Sequence, residues 1–492
     1  MTASLFEHDL LIMTPEVFLL VSSLVLLGFG LVTQETPVSS LIRTFTWLSL
    51  FTLACTLCVL VTSPIHHAFV FSQSLVVDEF TFFFKTLLLM SSFGALFISK
   101  KYFCEEKIYS FEYILFLLFS TLSMLLMISS YDFLSLFLSI EFQTLCFYVL
   151  AASKRTSEFS TEAGMKYFLL GAFSSGILLF GCSLVYGFTG MTNFGDLRLL
   201  LTGVETEVSL PMSGLVLGIL FLGVGFLFKV SAAPFHMWAP DVYEGAPTST
   251  TAFFALVPKI ALFAVFVRIF FGAFYDLLAS WQYILLLCSG LSMIVGSFAA
   301  LSQQRIKRLL AYSSIGHVGY MLLGFSCASL EGIEAVCIYL VIYVIMTLNV
   351  FGIVLAMNSK QSRLRYLSDF GMLSASHPVL AFTFACTLFS MAGIPPLAGF
   401  CSKFYIFFAA LSSGLYALAL LGVLTSVVSC FYYIRLIKIM YFERPSRWLV
   451  YDGMDAEKAL VIAASLFFVV FFFVYPSPLF LSAHKVALSL SL

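Results

Sequence analysis

Apolar runs recur along the whole chain and are separated by short polar stretches. Each run of about 20 residues is long enough for a helix to cross the roughly 30 Å hydrocarbon core of a bilayer. The pattern therefore predicts an all-α polytopic membrane protein with about fourteen transmembrane segments. The segments are numbered in chain order, and their expected bounds are 15–33, 42–62, 79–99, 111–130, 132–151, 165–189, 213–235, 248–271, 281–302, 308–328, 333–357, 376–398 continuing to about 411, 414–437 and 458–475.

Segments 7 and 8 carry lysines beside prolines within their apolar runs. Lys229 precedes Pro234, and Lys259 directly follows Pro258. A charge at membrane depth costs about 2.5–3.5 kcal/mol on insertion scales, so its presence indicates a function. Proline removes a backbone donor, and a broken helix is tolerated in a membrane only inside protein or beside a wet cavity. Together the two segments predict a proton or ion path.

Segment 12 contains a similar interruption, because the pair Pro395-Pro396 lies among small residues. Paired interruptions in corresponding halves of a transporter point to its ion path. Lys403 follows the break in segment 12, whereas Lys229 precedes the break in segment 7. The internal repeat is therefore faint in the sequence.

Other ionisable residues lie within the predicted segments. Glu141 is a carboxylate in the middle of segment 5. It would stabilise the protonated form of Lys229 when close to it and would free the lysine to lose its proton when separated. The alternative is a structural ion pair. His317 could relay protons or serve only in packing. Lys166 lies near the start of its segment, where proton transfer and snorkelling to the interface both fit. Lys85 is expected to snorkel.

The distribution of charge predicts an orientation. The chain is 61% hydrophobic and 10% charged, with a formal net charge of −1. It has no basic face, which argues against a nucleic-acid partner. Loops after odd-numbered segments hold most of the loop Lys and Arg residues, namely Arg43, Lys100, Lys101, Lys107, Lys154, Arg155, Arg305, Lys307, Arg308, Lys360, Arg363, Arg365, Arg435, Lys438, Arg444 and Arg447. The positive-inside rule then places both termini on the opposite, positive side of the membrane.

The loop after segment 7 departs from this series, because it has Asp241 and Glu244 but no Lys or Arg. An acidic loop suggests proton collection or the docking of a partner. A turn with a capping Asp is the alternative.

Motifs of redox and nucleotide chemistry are missing from the sequence. It has no Walker loop, no G-x-G-x-x-G, no H-E-x-x-H, no cysteine cluster for an iron–sulfur centre and no haem attachment motif. We therefore expect no cofactor and no metal in this chain.

Four stretches resemble the antiporter-like membrane subunits of respiratory complex I, in their plant and green-algal mitochondrial form. They are 151–167, 234–245, 307–320 and 392–404. The resemblance implies fourteen helices with two inverted five-helix repeats, helices 4–8 and 9–13, and discontinuous helices 7 and 12. It divides the chain into three amino-terminal helices (1–110), a first repeat (111–272), a second repeat (273–440) and a loop with a last helix (441–492).

The resemblance also implies a function and a set of site residues. The chain would be a proton-translocating membrane-arm subunit in the mitochondrial inner membrane, with both termini in the intermembrane space. FMN, iron–sulfur clusters and ubiquinone would belong to partner subunits, and neighbouring antiporter-like subunits and lipids would surround the chain. The alternatives are a subunit of a multi-subunit cation/proton antiporter and a passive spacer. The residues expected to transfer protons are Glu141, Lys166, Lys229, Lys259, His317 and Lys403.

Overall fold

The computed structural model of the protein describes residues 8–33, 38–63, 67–106, 110–202, 212–357, 365–443 and 453–491. The described residues form helices and one two-stranded antiparallel hairpin. In chain order the elements are α1 Thr14–Val32, α2 Val38–Thr62, β1 Ala68–Val70, β2 Leu75–Val77, α3 Glu79–Glu105, α4 Glu112–Ser129, α5 Phe133–Ala151, α6 Glu158–Thr189, α7 Phe194–Thr202, α8 Met212–Val230, α9 Trp238–Gly245, α10 Thr248–Val267, α11 Leu278–Leu301, α12 Ile306–Ser326, α13 Leu330–Ala356, α14 Leu373–Ser376, α15 Pro378–Ala392, α16 Ala398–Ser412, α17 Tyr416–Phe442, α18 Ala456–Phe471 and α19 Ser477–Ser491.

A helix covers each of the predicted segments. Within the described ranges, eleven helices are long and apolar enough to cross a membrane. Segment 12 consists of two shorter apolar helices, α15 and α16, and segments 10 and 14 correspond to α12 and α18. The hairpin and the helices α7, α9, α14 and α19 were not predicted. The chain is a multi-pass membrane protein, as the apolar runs indicated.

Local chemistry explains where individual helices end. The turn predicted at Ser129–Asp132 is confirmed, because α4 ends at Ser129 and α5 begins at Phe133. The Asp132 carboxylate accepts the backbone N–H of Leu134 at 3.3 Å, as an N-cap residue does. At the end of α6, Gly190 takes the left-handed conformation with a φ of +70°, which glycine adopts without steric cost.

The centre of the molecule is α10. Every residue from Ser249 to Val267 is buried, as expected for a helix that is apolar on all sides. Helices α3, α4, α8 and α13 pack around it. The proline and lysine of segment 8 therefore lie inside protein and away from lipid.

Buried ion pairs join distant parts of the chain. Arg268, directly after α10, donates to both carboxylate oxygens of Asp78 at 3.0 and 2.8 Å. Lys100 near the end of α3 contacts Glu457 of α18 at 2.5 Å. These pairs connect α3 to the end of α10 and to α18.

Lys85 does not snorkel, so that expectation is wrong. Its side chain is 3% exposed, and its Nζ lies 2.5 Å from a carboxylate oxygen of Glu16 in α1. The physical reason is that a buried carboxylate on a neighbouring helix offsets the desolvation of the ammonium group.

Several basic residues used to predict the orientation lie outside the described residues. These are Lys107, Lys360, Arg363, Arg444 and Arg447.

Candidate functional site

Helix α8 breaks directly after the turn that carries Lys229. Ser231 takes a left-handed conformation with a φ of +66°, and the chain resumes as α9 at Trp238. The carbonyl of Phe228 accepts the backbone N–H of Ser231 at 3.1 Å and the indole Nε1–H of Trp238 at 2.9 Å, so Trp238 fastens the resumed chain to the end of α8. Lys229 thus lies at the carboxyl end of a half-helix, where the partial negative charge of the helix dipole favours an ammonium group.

The charged ends of Lys229 and Glu141 are not in contact. The Lys229 Nζ and the Glu141 Oε1 are both buried, and neither has a hydrogen-bond partner within the described part of the chain. The Glu–Lys switch suggested by the sequence stays a prediction, and the two groups lie apart as one of its two states requires.

Lys259 lies in the middle of α10, directly after a proline. Pro258 has no N–H to donate, and the carbonyl of Phe254, one turn earlier, accepts the hydroxyl of Tyr243 instead at 3.2 Å. Lys259 is 3% exposed, and its Nζ donates to the hydroxyl of Tyr343 at 2.9 Å. The break predicted beside Lys259 is wrong: α10 runs without interruption from Thr248 to Val267. The helix continues through Pro258 because the Tyr243 hydroxyl donates to the carbonyl that proline leaves free.

A cavity of about 20 Å³ separates Lys229 from Lys259. Its walls include both lysines, Tyr243 and the polar side chains of Gln143 and Thr144. About 10–15 Å³ is enough to hold one water molecule when polar partners are present. The cavity lined by both lysines is therefore large enough to hold one water molecule.

His317 is clamped between two tyrosines. Its Nδ1 lies 2.7 Å from the hydroxyl of Tyr339, and its Nε2 lies 3.2 Å from the hydroxyl of Tyr433. The residue is 4% exposed. Both ring nitrogens thus have partners that can give or take a proton.

Lys403 reaches back across the break in segment 12. Its Nζ donates to the carbonyls of Met391 and Ala392 at 3.0 and 2.9 Å. These carbonyls belong to the last turn of α15 and have no helical partner. Lys403 and Lys229 therefore both lie at the carboxyl end of the first half-helix, although they fall on opposite sides of the breaks in the sequence.

Two smaller cavities, each of about 10 Å³, share His317 as a wall. One of them is also lined by Tyr343, and the other by Lys403 and Tyr433. Four of the six predicted residues therefore form one buried polar line in the order Lys229, Lys259, His317 and Lys403. Glu141 lies beside its first member.

Lys166 lies apart from this line. Its side chain is 42% exposed and pairs with Glu162 at 2.8 Å and with Asp241 at 3.0 Å. A part for Lys166 in proton transfer remains a prediction.

The acidic loop after segment 7 is paired with basic residues of the same chain. Arg308 lies 3.4 Å from carboxylate oxygens of both Asp241 and Glu244, and Arg305 contacts Glu244. The loop has no Lys or Arg of its own because α12 supplies them. The carboxylates of this loop therefore join the two halves of the chain.

The tyrosines around Lys259 and His317 were not singled out from the sequence. Tyr339 and Tyr343 are four residues apart on α13, and that spacing places them on the same helix face. A search for paired tyrosines in apolar segments would have found them. The described residues contain no cluster of three or more His, Cys, Asp or Glu placed to hold a metal.

The chain is similar to known proteins over its whole length. A model of the family described as NADH:quinone oxidoreductase/Mrp antiporter, TM, matches residues 130–429. NADH-ubiquinone oxidoreductase chain 2 of Marchantia polymorpha is 54% identical over 99% of this chain and 100% of its own length. A chain of respiratory complex I from Thermus thermophilus is 30% identical, with a TM-score of 0.78 over 95% of this chain and 98% of that chain.

A chain of the Mrp complex from a Dietzia species has a TM-score of 0.81 over 98% of this chain and 97% of that chain. At 19% identity it shows a likeness of fold alone. As its sequence predicted, the chain belongs to the NADH:quinone oxidoreductase/Mrp antiporter family of membrane proteins.

Proposed function

We propose that this chain is a proton-translocating subunit in the membrane arm of respiratory complex I. The observation that carries the proposal is the buried line Lys229, Lys259, His317 and Lys403, joined by three small cavities. Ionisable groups inside a membrane protein mark proton relays. Its full-length relatives are NADH-ubiquinone oxidoreductase chain 2 and NADH-quinone oxidoreductase subunit N, which supports the assignment to this complex.

A shift in the position of Glu141 would start the transfer. When its carboxylate approaches Lys229, it stabilises the ammonium form, and when it withdraws, the proton is free to move to Lys259. Lys259, His317 and Lys403 then take it in turn. The chain supplies no electron carrier; NADH oxidation and quinone reduction occur in partner subunits and drive the displacement.

The energies are compatible with this scheme. Moving one proton against 100 mV costs about 2.3 kcal/mol. A tenfold change in the proton affinity of a lysine corresponds to about 1.4 kcal/mol. A nearby carboxylate can change the proton affinity of a buried lysine about a hundredfold. Such a change matches the cost of moving one proton against 100 mV.

The finer assignments belong to the same proposal. The chain lies in the mitochondrial inner membrane among other membrane-arm subunits, with both termini in the intermembrane space. FMN, iron–sulfur clusters and ubiquinone are held by partners. The fourteen segments comprise the amino-terminal unit 1–110, two inverted repeats at 111–272 and 273–440, and the final stretch 441–492. The related place of Lys229 and Lys403 at their half-helices supports the repeat.

Substitution of the first and last lysines of the line tests the function. In the assembled complex, Lys229→Met and Lys403→Met should each lower the number of protons pumped per electron transferred, because methionine keeps the length of the side chain and carries no proton. Lys438→Met is the matched control, since Lys438 is 64% exposed and lies outside the line. An unchanged ratio in both variants would contradict the proposal.

The second candidate, a subunit of a multi-subunit cation/proton antiporter, rests on the shared fold and is not favoured. Its structural relative is 19% identical to this chain, whereas the Marchantia oxidoreductase chain is 54% identical. A passive spacer would keep full pumping in the lysine variants as long as the complex assembles.

A further inference from the structure

The ammonium group of Lys259 has two oxygen neighbours on the side of His317. One is the hydroxyl of Tyr343 at 2.9 Å, and the other is the backbone carbonyl of Ser314 at 3.5 Å. A carbonyl accepts a hydrogen bond but has no proton to pass on, whereas a hydroxyl both accepts and donates. The acceptor that can pass on a proton from Lys259 towards His317 is therefore the hydroxyl of Tyr343.

Tyr343 has two possible acceptors for its own proton. The first is the carbonyl of Ala255, to which the hydroxyl donates at 3.2 Å and which cannot pass a proton on. The second would be a water in the cavity that Tyr343 and His317 both line. The centroids of these two rings are 5.4 Å apart. Because a hydroxyl proton turns about the C–O bond without movement of the ring, Tyr343 can alternate between a blocked and a conducting orientation.

The two tyrosines that hold His317, Tyr339 and Tyr433, allow the imidazole to pass protons in one direction at a time. A neutral imidazole has one N–H and one bare nitrogen, so one of Tyr339 and Tyr433 donates to it while the other accepts. A proton added at one nitrogen and removed at the other leaves the ring neutral in its other tautomer. The hydrogen bonds of both phenols are then reversed.

We infer that the hydroxyls of Tyr343, Tyr339 and Tyr433 are proton-relay groups between Lys259 and Lys403. The inference rests on the proposed function and adds the groups that connect its charged residues. Lys259 gives a proton to the oxygen of Tyr343 while that hydroxyl gives its own proton to water in the shared cavity. Tyr343 is neutral before and after the step, so no charge remains on the phenol.

The second half of the relay passes through the clamp. Tyr339 lies one helical turn from Tyr343 on α13. It hands its hydroxyl proton to Nδ1 of the imidazole as it takes the proton that Tyr343 has released. The imidazole gives up a proton at its other nitrogen to Tyr433. Tyr433 lines the cavity of Lys403, where the proton is delivered.

The test compares Tyr343→Phe with Lys259→Met in the assembled complex reconstituted into liposomes. Protons pumped and electrons transferred are measured together. We expect Tyr343→Phe to lower the proton-to-electron ratio to the value of Lys259→Met, because both changes interrupt the same path. Tyr113→Phe is the matched control and should keep the parent ratio: Tyr113 is buried, and its hydroxyl lies 2.9 Å from Ser249, outside the relay.

A second variant separates relay from packing. Phenylalanine keeps the shape of Tyr343 but exchanges no proton, whereas histidine changes the shape and exchanges protons. The relay predicts that Tyr343→His pumps more protons per electron than Tyr343→Phe, and a structural role predicts the reverse order. The parent ratio in Tyr343→Phe together with a lowered ratio in Lys259→Met would overturn the relay and leave the proposed function standing. The parent ratio in both would overturn the proposed function itself.

Discussion

Buried ammonium groups in this chain are satisfied in different ways, and the difference indicates what each one does. Lys85 contacts the carboxylate of Glu16 at 2.5 Å, and Lys403 donates to two backbone carbonyls. The Nζ of Lys229 has no hydrogen-bond partner within the described residues. A group in direct contact with an opposite charge is held in place, whereas a group balanced at a distance can change partners. We therefore expect Lys85 to be structural and Lys229 to exchange partners.

The Glu16–Lys85 pair gives a prediction at this scale. Lys85→Met alone should destabilise the chain by about 3–5 kcal/mol, because it leaves a buried carboxylate without its partner. Replacing both residues, as Lys85→Met with Glu16→Leu, should restore most of that loss. Thermal unfolding of the purified complex and its assembly level measure both effects. If the double variant were as unstable as the single one, the pair would have a role beyond charge balance.

At the scale of elements, the two broken helices position the lysines by close backbone contact. Gly399 at the start of α16 packs against the last turn of α15, where an added Cβ would lie 1.9 Å from the carbonyl oxygen of Ser390. The backbone N–H of Gly399 also donates to the Ser390 hydroxyl at 3.0 Å. This contact brings Lys403 to the carbonyls that it caps.

Gly399→Ala should therefore force the two half-helices apart and weaken pumping. Overpacking of this kind costs typically about 1–3 kcal/mol, and Lys403 would lose its carbonyl partners. Gly176→Ala in α6 is the control, since an added Cβ there meets nothing within 4 Å, and alanine favours a helix. The proton-to-electron ratio and thermal stability are the measurements. A Gly399→Ala complex that matched the Gly176→Ala complex would show that the contact is not needed.

Helices and breaks could be predicted from the sequence because both have local causes. Apolar length predicted the segments, and prolines near lysines predicted the interruptions of segments 7 and 12. Segment 8 is continuous through Pro258, which its sequence did not reveal. Lys85 was misjudged because its partner Glu16 lies two helices away, at the start of an apolar run where a carboxylate looks interfacial. The tyrosines were missed because a phenol counts as apolar in a hydropathy pattern. The hydroxyl becomes visible as a relay group only when tertiary packing sets it against Lys259 or His317.

At the scale of the whole molecule, charge contacts between separate parts hold the line of lysines in place. Arg268 connects the centre to the start of α3 through Asp78. Arg308 connects α12 to the acidic loop after α8. These contacts lie near the ends of helices. They therefore fix the positions of the helices without engaging the lysines of the buried line.

Orientation is the prediction that belongs to this scale. Cysteines introduced as Lys438→Cys and Lys485→Cys, both at exposed positions, should react with a membrane-impermeant maleimide from opposite sides. Lys438 follows an odd segment and should be labelled from the matrix side, and Lys485 from the intermembrane space. The unchanged chain corrects for native cysteines. Labelling of both from the same side would contradict the predicted number of crossings.

The burial of α10 also has a consequence for biogenesis. Lys259 emerges from the ribosome 84 residues before Tyr343, the hydroxyl that it will bind. At about 5–20 residues per second, that interval lasts roughly 4–17 seconds. During this time an ammonium group has reached the insertion machinery without its native acceptor. The nascent chain therefore needs α10 to be shielded by an insertase or by earlier helices until α13 has been made.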